Sequence, residues 1–173
     1  MSSEGFAALL CRISGMTDKL HQMNISYLPK EDRLLLRIST LQGDEFRVWL
    51  TRRYTGLLFK ILNKQMEKSG GVPTVAASDE TRKLFKAGAM DQKYDSDSSN
   101  FPLGETGFLA FRINTGESPD GILHLEISPE QGQGITLHLT NPLLYMFTNI
   151  LNQGIDKAGW QLSREDTLSM QVH

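Results

Sequence analysis

The chain has one cysteine, Cys11, so it can form no internal disulfide, and Cys11 stands apart from any metal-ligand spacing. No stretch approaches the roughly 18 apolar residues of a membrane-spanning helix. The start, Met1-Ser2-Ser3-Glu4, has neither the basic residues nor the apolar run of a secretion signal. A cytoplasmic location is the expectation, with no membrane partner. Catalytic signatures are missing too. The four histidines, His21, His124, His138 and His173, form no HExxH and no pairing with the cysteine. The glycines build no phosphate-cradling GxxxxGK[ST] or GxGxxG; Gly132-Gln133-Gly134 belongs to a hairpin turn. Asp95 and Asp97 lack the glycine and the bidentate glutamate of a calcium loop and read as part of a solvated linker. No catalytic residue, cofactor or metal site is assigned, and the expectation is a non-enzymatic protein.

What is present suits one domain. A chain of 173 residues with 39% hydrophobic and 22% charged side chains can bury a sizeable core. The net charge of −2 hides a division. Residues 17–69 hold ten Lys/Arg against six Asp/Glu, and residues 106–173 hold three against seven. Such asymmetry reports on partners more than on fold.

The strongest internal signal is a repeat. Displaced by 89 positions, Leu36-Arg-Ile-Ser39 falls on Leu125-Glu-Ile-Ser128, Gln42-Gly43 on Gln131-Gly132, Leu50-Thr51 on Leu139-Thr140 and Ile61-Leu-Asn63 on Ile150-Leu-Asn152. Ten of the 28 pairs over positions 36–63 are identical without a gap, and most other pairs keep apolar character in phase. In each copy two alternating apolar runs flank a three-residue turn. These are Leu34, Leu36, Ile38 and Phe46, Val48, Leu50 around Leu41-Gln42-Gly43, then Leu123, Leu125, Ile127 and Ile135, Leu137, Leu139 around Glu130-Gln131-Gly132. An amphipathic helix comes after each hairpin, with stripes Leu57, Leu58, Ile61, Leu62, Met66 and Leu143, Met146, Phe147, Ile150, Leu151. Asn141-Pro142 is a helix start.

Further strands are expected at His21–Leu28 and Phe108–Asn114, with another at Gly5–Ser14. A short capped helix is expected from Ser78 to Lys86, and exposed, flexible chain from Tyr94 to Asn100. The reading is α+β: a strand-and-helix unit (βββα or ββββα) present twice, about residues 17–68 and 106–153, joined by a partly flexible linker at 69–105. A hairpin alone is marginal, so the copies are expected to pack together about a pseudo-twofold as one domain.

Pairing about the three-residue turns makes two statements about the sheet face away from the helices. In the first hairpin Arg37 lies directly opposite Arg47, and Arg33, Leu35 and Trp49 share that face. Like charges directly opposite are destabilising unless carboxylates or an anion answer them, and Glu45 is close enough to do so. Thr51 reads as the cap of the first helix, with Arg52 and Arg53 after it against the helix dipole. Two guanidinium groups beside free backbone N–H groups suit a phosphate, although Asp44, Glu45 or the acidic second copy would serve as partners equally. Trp49 amid arginines is the combination single-stranded nucleic acid uses, a stacking platform among charges that track the backbone. It is equally an ordinary cross-strand residue. In the second hairpin His124 lies opposite His138. Two imidazoles can hold a metal, but no third ligand is evident, and they read as surface histidines.

Antiparallel strands closed by a helix, twice in one chain, resemble the Whirly and PUR-type single-strand-binding proteins and their coactivator relatives. Gly134-Ile-Thr-Leu-His-Leu-Thr-Asn-Pro-Leu-Leu144, a strand running into a capped helix, resembles the end of their unit. The likeness covers both copies and is architectural. It implies single-stranded DNA or RNA on the sheet face away from the helices, held by aromatic and basic side chains. The acidic second copy departs from the positive surface of those proteins. The segments Leu28-Pro-Lys-Glu-Asp-Arg-Leu-Leu-Leu-Arg37 and Glu45-Phe-Arg-Val-Trp-Leu-Thr-Arg-Arg53 are also similar to a bacterial family that carries no assigned activity. That likeness implies that Glu31-Asp32-Arg33 and Trp49–Arg53 belong together.

Two functional expectations result. The first is single-stranded nucleic-acid binding through Arg33, Arg37, Arg47, Trp49, Arg52 and Arg53. The second is a protein-interaction or self-assembly module, in which the basic first copy docks on an acidic surface of a protein partner or of another copy of the chain.

Overall fold

The computed structural model describes residues 20–70, 94 and 98–162. The strand expected at Gly5–Ser14 and the helix expected at Ser78–Lys86 lie outside these residues. The first unit runs β1 (Leu20–Leu28), β2 (Arg33–Thr40), β3 (Glu45–Leu50) and α1 (Arg52–Lys68). The second runs β4 (Phe108–Leu109), β5 (Arg112–Glu117), β6 (Leu123–Ser128), β7 (Ile135–Leu139) and α2 (Asn141–Ala158). The class is α+β, and β5-β6-β7-α2 repeats the order β1-β2-β3-α1, with the short β4 added before it.

Two sheets form, β1-β2-β3-β4 and β5-β6-β7. All pairings are antiparallel except β3 with β4, which run parallel. The strand expected at Phe108–Asn114 is divided between them. Ala110 N donates to Trp49 O at 2.9 Å, and the next residue, Phe111, donates to Ser128 O at 2.9 Å. The chain therefore passes from one sheet to the other across a single peptide unit.

That crossing repeats a device already present in β1. There the register with β2 shifts between Leu20 and Gln22, leaving His21 and Gln22 between inward Leu20 and Met23. In the second unit, exposed Phe111 and Arg112 stand between buried Ala110 and partly buried Ile113. Both first strands thus carry an additional outward residue, a bulge that bends the strand and redirects the residues after it. The bulges are 90 positions apart whereas the hairpins are 89 apart, because the turn after β5 (119–121), closed by Ser118 N donating to Ile122 O at 3.0 Å, is one residue shorter than the turn after β1 (29–32).

Helix boundaries obey local chemistry. Thr51 caps α1, its hydroxyl accepting from Tyr54 N at 3.2 Å. Pro142 sits in the first turn of α2, and Gly159 ends it in the left-handed conformation at φ +67°. Each helix reaches the opposite unit. Helix α2 lies on β1 and β2, so close that a Cβ on Gly154 would stand 2.8 Å from Ile25 Cγ2. Helix α1 reaches β5, where Tyr54 Oη donates to Arg112 O at 3.0 Å and Lys68 pairs with Glu117 at 3.6 Å. The stripe expected on α2 is buried in full. On α1 only Leu58 and Leu62 of the expected stripe are fully enclosed, and Tyr54, Thr55 and Gln65 are buried instead of Leu57 and Ile61. One hydrophobic core runs from Met23 and Ile25 through Phe147 to Trp160, drawing on both units.

Candidate functional site

The outer face of β2 and β3 is arranged by strand register. Arg37 stands opposite Arg47, and Leu35 opposite Trp49, as the turn lengths imply. The cost of two facing arginines is met inside the chain. Glu45, only 1% exposed, accepts from Arg47 Nε through Oε1 at 2.6 Å and from the Tyr94 hydroxyl through Oε2 at 3.1 Å. Arg37 donates to Asn24 Oδ1 at 3.1 Å and stacks over the Tyr94 ring, 4.1 Å from its centroid. Arg47 also donates to Glu105 O at 2.7 Å and lies over Phe101 at 4.8 Å. Burial, with the Glu45 carboxylate beside it, pushes the Tyr94 phenol up to about 12.

This corrects the expectation of exposed chain at Tyr94. The aromatic ring carries too much apolar surface to remain in water when the stems and charges of two arginines lie open beside it. From Asn100 onward the chain keeps to the same region. Glu45 N donates to Asn100 O at 2.9 Å, and the Asn100 amide donates to the Asp44 carboxylate. Trp49 Nε1 donates to Thr106 O at 2.8 Å. Gly107 then passes against Arg47, at φ +75°, where a Cβ would collide with the Arg47 carbonyl. Sequence reasoning missed Tyr94, Phe101, Glu105 and Thr106. The available signal was two aromatics, Tyr94 and Phe101, in an otherwise polar stretch.

Between this segment and the start of β2 lies an open groove of about 490 Å³, lined by Glu31, Arg33, Leu35, Arg47, Trp49, Glu105 and Thr106. Of the six residues expected to form a site, Arg33, Arg47 and Trp49 line it. Arg33 is partly exposed and lies 3.7 Å from Glu31. Arg37 is held away from the groove by Asn24 and Tyr94. Arg52 and Arg53 are exposed in the first turn of α1, and Arg52 contributes to holding the Asp32 carboxyl below its ordinary range. The larger causes of that lowering are hydrogen bonds from Trp160 Nε1 and the Tyr27 hydroxyl, each 2.9 Å from Asp32 Oδ1. Glu31-Asp32-Arg33 and Trp49–Arg53 are thus brought to one end of the sheet.

Elsewhere on the outer surface, Leu109 is 41% and Phe111 60% exposed at the junction of the sheets. On the second sheet His124 faces His138, their ring centroids 4.2 Å apart. No group of three or more metal-ligating side chains occurs among the described residues. No described helix is long and apolar enough to cross a membrane. No family model, curated protein or solved structure matches this chain.

Proposed function

We propose that the protein is a non-enzymatic binder of single-stranded nucleic acid, with the groove over β2 and β3 as the place where a base is held. The observation that supports this most is Trp49 itself, half-buried in an open groove, its indole N–H already bonded to Thr106 O and guanidinium groups on both sides. An aromatic ring immobilised by its own hydrogen bond offers a face for stacking at little further cost in rotamer entropy. In this reading Arg33, Arg52 and Arg53 contact phosphates, while Arg37 and Arg47 hold the platform and its covering segment in place.

The test is fluorescence anisotropy with labelled single-stranded DNA, single-stranded RNA and duplex at low and physiological salt. Binding that prefers single strands and weakens steeply with salt is expected, because each neutralised phosphate releases counterions. Trp49→Ala should weaken binding by about tenfold, on the order of one lost stacked base. The Arg52→Ala/Arg53→Ala double variant should lower affinity for all sequences alike and reduce the salt slope. Absence of binding at low salt would remove this reading.

A second reading has its own observation. Glu31 and Glu105 line the groove beside the arginines, and Leu109 and Phe111 stand exposed nearby. Mixed charge and apolar surface suit a protein partner or a second copy of the chain. Sedimentation velocity across salt concentrations tests self-assembly; a monomer at every salt would exclude it.

A further inference from the structure

We propose that His124 and His138 form a two-imidazole site for a borderline divalent transition-metal ion, zinc or copper(II), on the outer face of the second sheet. The proposal is independent of the nucleic-acid reading and rests on three observations. First, the register sets Gly116, His124 and His138 in one row across β5, β6 and β7. The two rings are 4.2 Å apart between centroids and tilted by 51°. Imidazole nitrogens bind zinc at roughly 2.0–2.1 Å, so two rings sharing one ion have centroids about 4.5 Å apart at the right angle of a square-planar copper site and about 5 Å apart at the tetrahedral angle of zinc. The two rings stand within about 1 Å of either separation.

Second, His138 Nε2 is shut off from water and has no hydrogen-bond partner among the described residues. A buried nitrogen lone pair or N–H left unmade is costly, and such atoms in native proteins usually answer to something. Coordination would use that lone pair.

Third, the row ends in a residue without a side chain. A Cβ placed on Gly116 would meet nothing within 4 Å, so the space beside His124 is open. Water or an external ligand can occupy the remaining coordination positions there. The nearest carboxylate on the face, Glu126, is engaged by Asn114 Nδ2 at 3.2 Å. The ion would therefore have two protein ligands, open positions and rapid exchange. Imidazole donors select zinc and copper over magnesium or calcium. The corresponding positions of the first unit are Leu35 and Trp49, so the site belongs to the second unit alone.

Isothermal titration of tag-free full-length protein with zinc chloride, copper(II) chloride and magnesium chloride tests this. A background variant, Cys11→Ser/His21→Gln/His173→Gln, removes the other imidazoles and the thiol and should retain one equivalent of zinc or copper and none of magnesium. Adding His124→Gln or His138→Gln to that background should weaken binding by about tenfold or more, with circular dichroism showing the fold unchanged. In proton NMR spectra, the His124 and His138 ring resonances should be the ones that copper broadens. The proposal is overturned if the background variant binds neither ion, or if either glutamine substitution leaves its affinity unchanged.

Discussion

Arg47 illustrates how one residue's role depends on what the chain folds over it. Its guanidinium pairs with a carboxylate that is otherwise sealed from water, so Arg47→Ala would leave Glu45 charged, buried and held only by Tyr94. Removing one partner of a buried pair typically costs about 3 kcal/mol or more; with Arg47 itself partly exposed, a loss of about 2–3 kcal/mol is expected in urea unfolding. Glu45→Gln/Arg47→Met should recover much of that loss, since neither charge then stands alone. Asp32 supplies a second test. Its carboxyl, lowered by hydrogen bonds from Trp160 and Tyr27, contributes stability that is fully present above the unfolded value near 3.8 and is lost as pH falls through the lower folded value. Melting temperature measured between pH 6 and pH 2 should therefore fall more steeply in the parent than in Asp32→Asn, which should be less stable at neutral pH. The facing arginines and the carboxylate that answers them were legible from turn length and spacing. Tyr94 was not, because 49 residues separate it from Glu45 and no local pattern encodes that contact.

At the scale of elements, Gly154 distinguishes the two helices. In an exposed helix Gly→Ala stabilises by up to about 1 kcal/mol. Here the added methyl would press on Ile25 and Leu34, both buried and, in Ile25, branched at Cβ, so the strand cannot yield cheaply. Gly154→Ala should instead destabilise by about 1–3 kcal/mol, the usual cost of overpacking, as read by chemical denaturation. A neutral or stabilising result would mean that α2 can lift from β1. The position equivalent to Gly154 in α1 is Gln65, which explains why two helices of one repeat have different buried stripes: α2 approaches its sheet at backbone distance, whereas α1 packs through Tyr54 and Leu58. Periodicity identified both helices and most of α2's face. It could not set the rotation of α1, since Leu57, Leu58, Ile61 and Leu62 offer two adjacent apolar stripes and only the neighbouring strand selects between them.

For the whole molecule, each helix reaches the other unit's strands and the core is shared. Phe147 is fully buried at its centre, and Phe147→Ala should lower stability by about 3–5 kcal/mol through lost burial and the cavity left behind. The loss should appear as one cooperative transition by both fluorescence and far-ultraviolet circular dichroism; two separate transitions would mean that the units fold independently. The charge division between the halves survives folding as two outer faces of different chemistry: arginines, Trp49 and a groove on the first sheet, and a histidine pair beside a glutamate on the second.

By itself the sequence determined the duplicated hairpin-and-helix unit, the cross-strand partners in both hairpins and the starts of both helices. Each of these depends on interactions within some twenty residues, where alternation, turn length and capping leave a readable period. Tertiary structure alone decided which helix lies on which sheet, where the chain crosses between sheets, and that the Tyr94 and Phe101 rings lie against Arg37 and Arg47. Those contacts join residues far apart in the chain, and their free energy comes from apolar area and charge that become adjacent only after the units have packed.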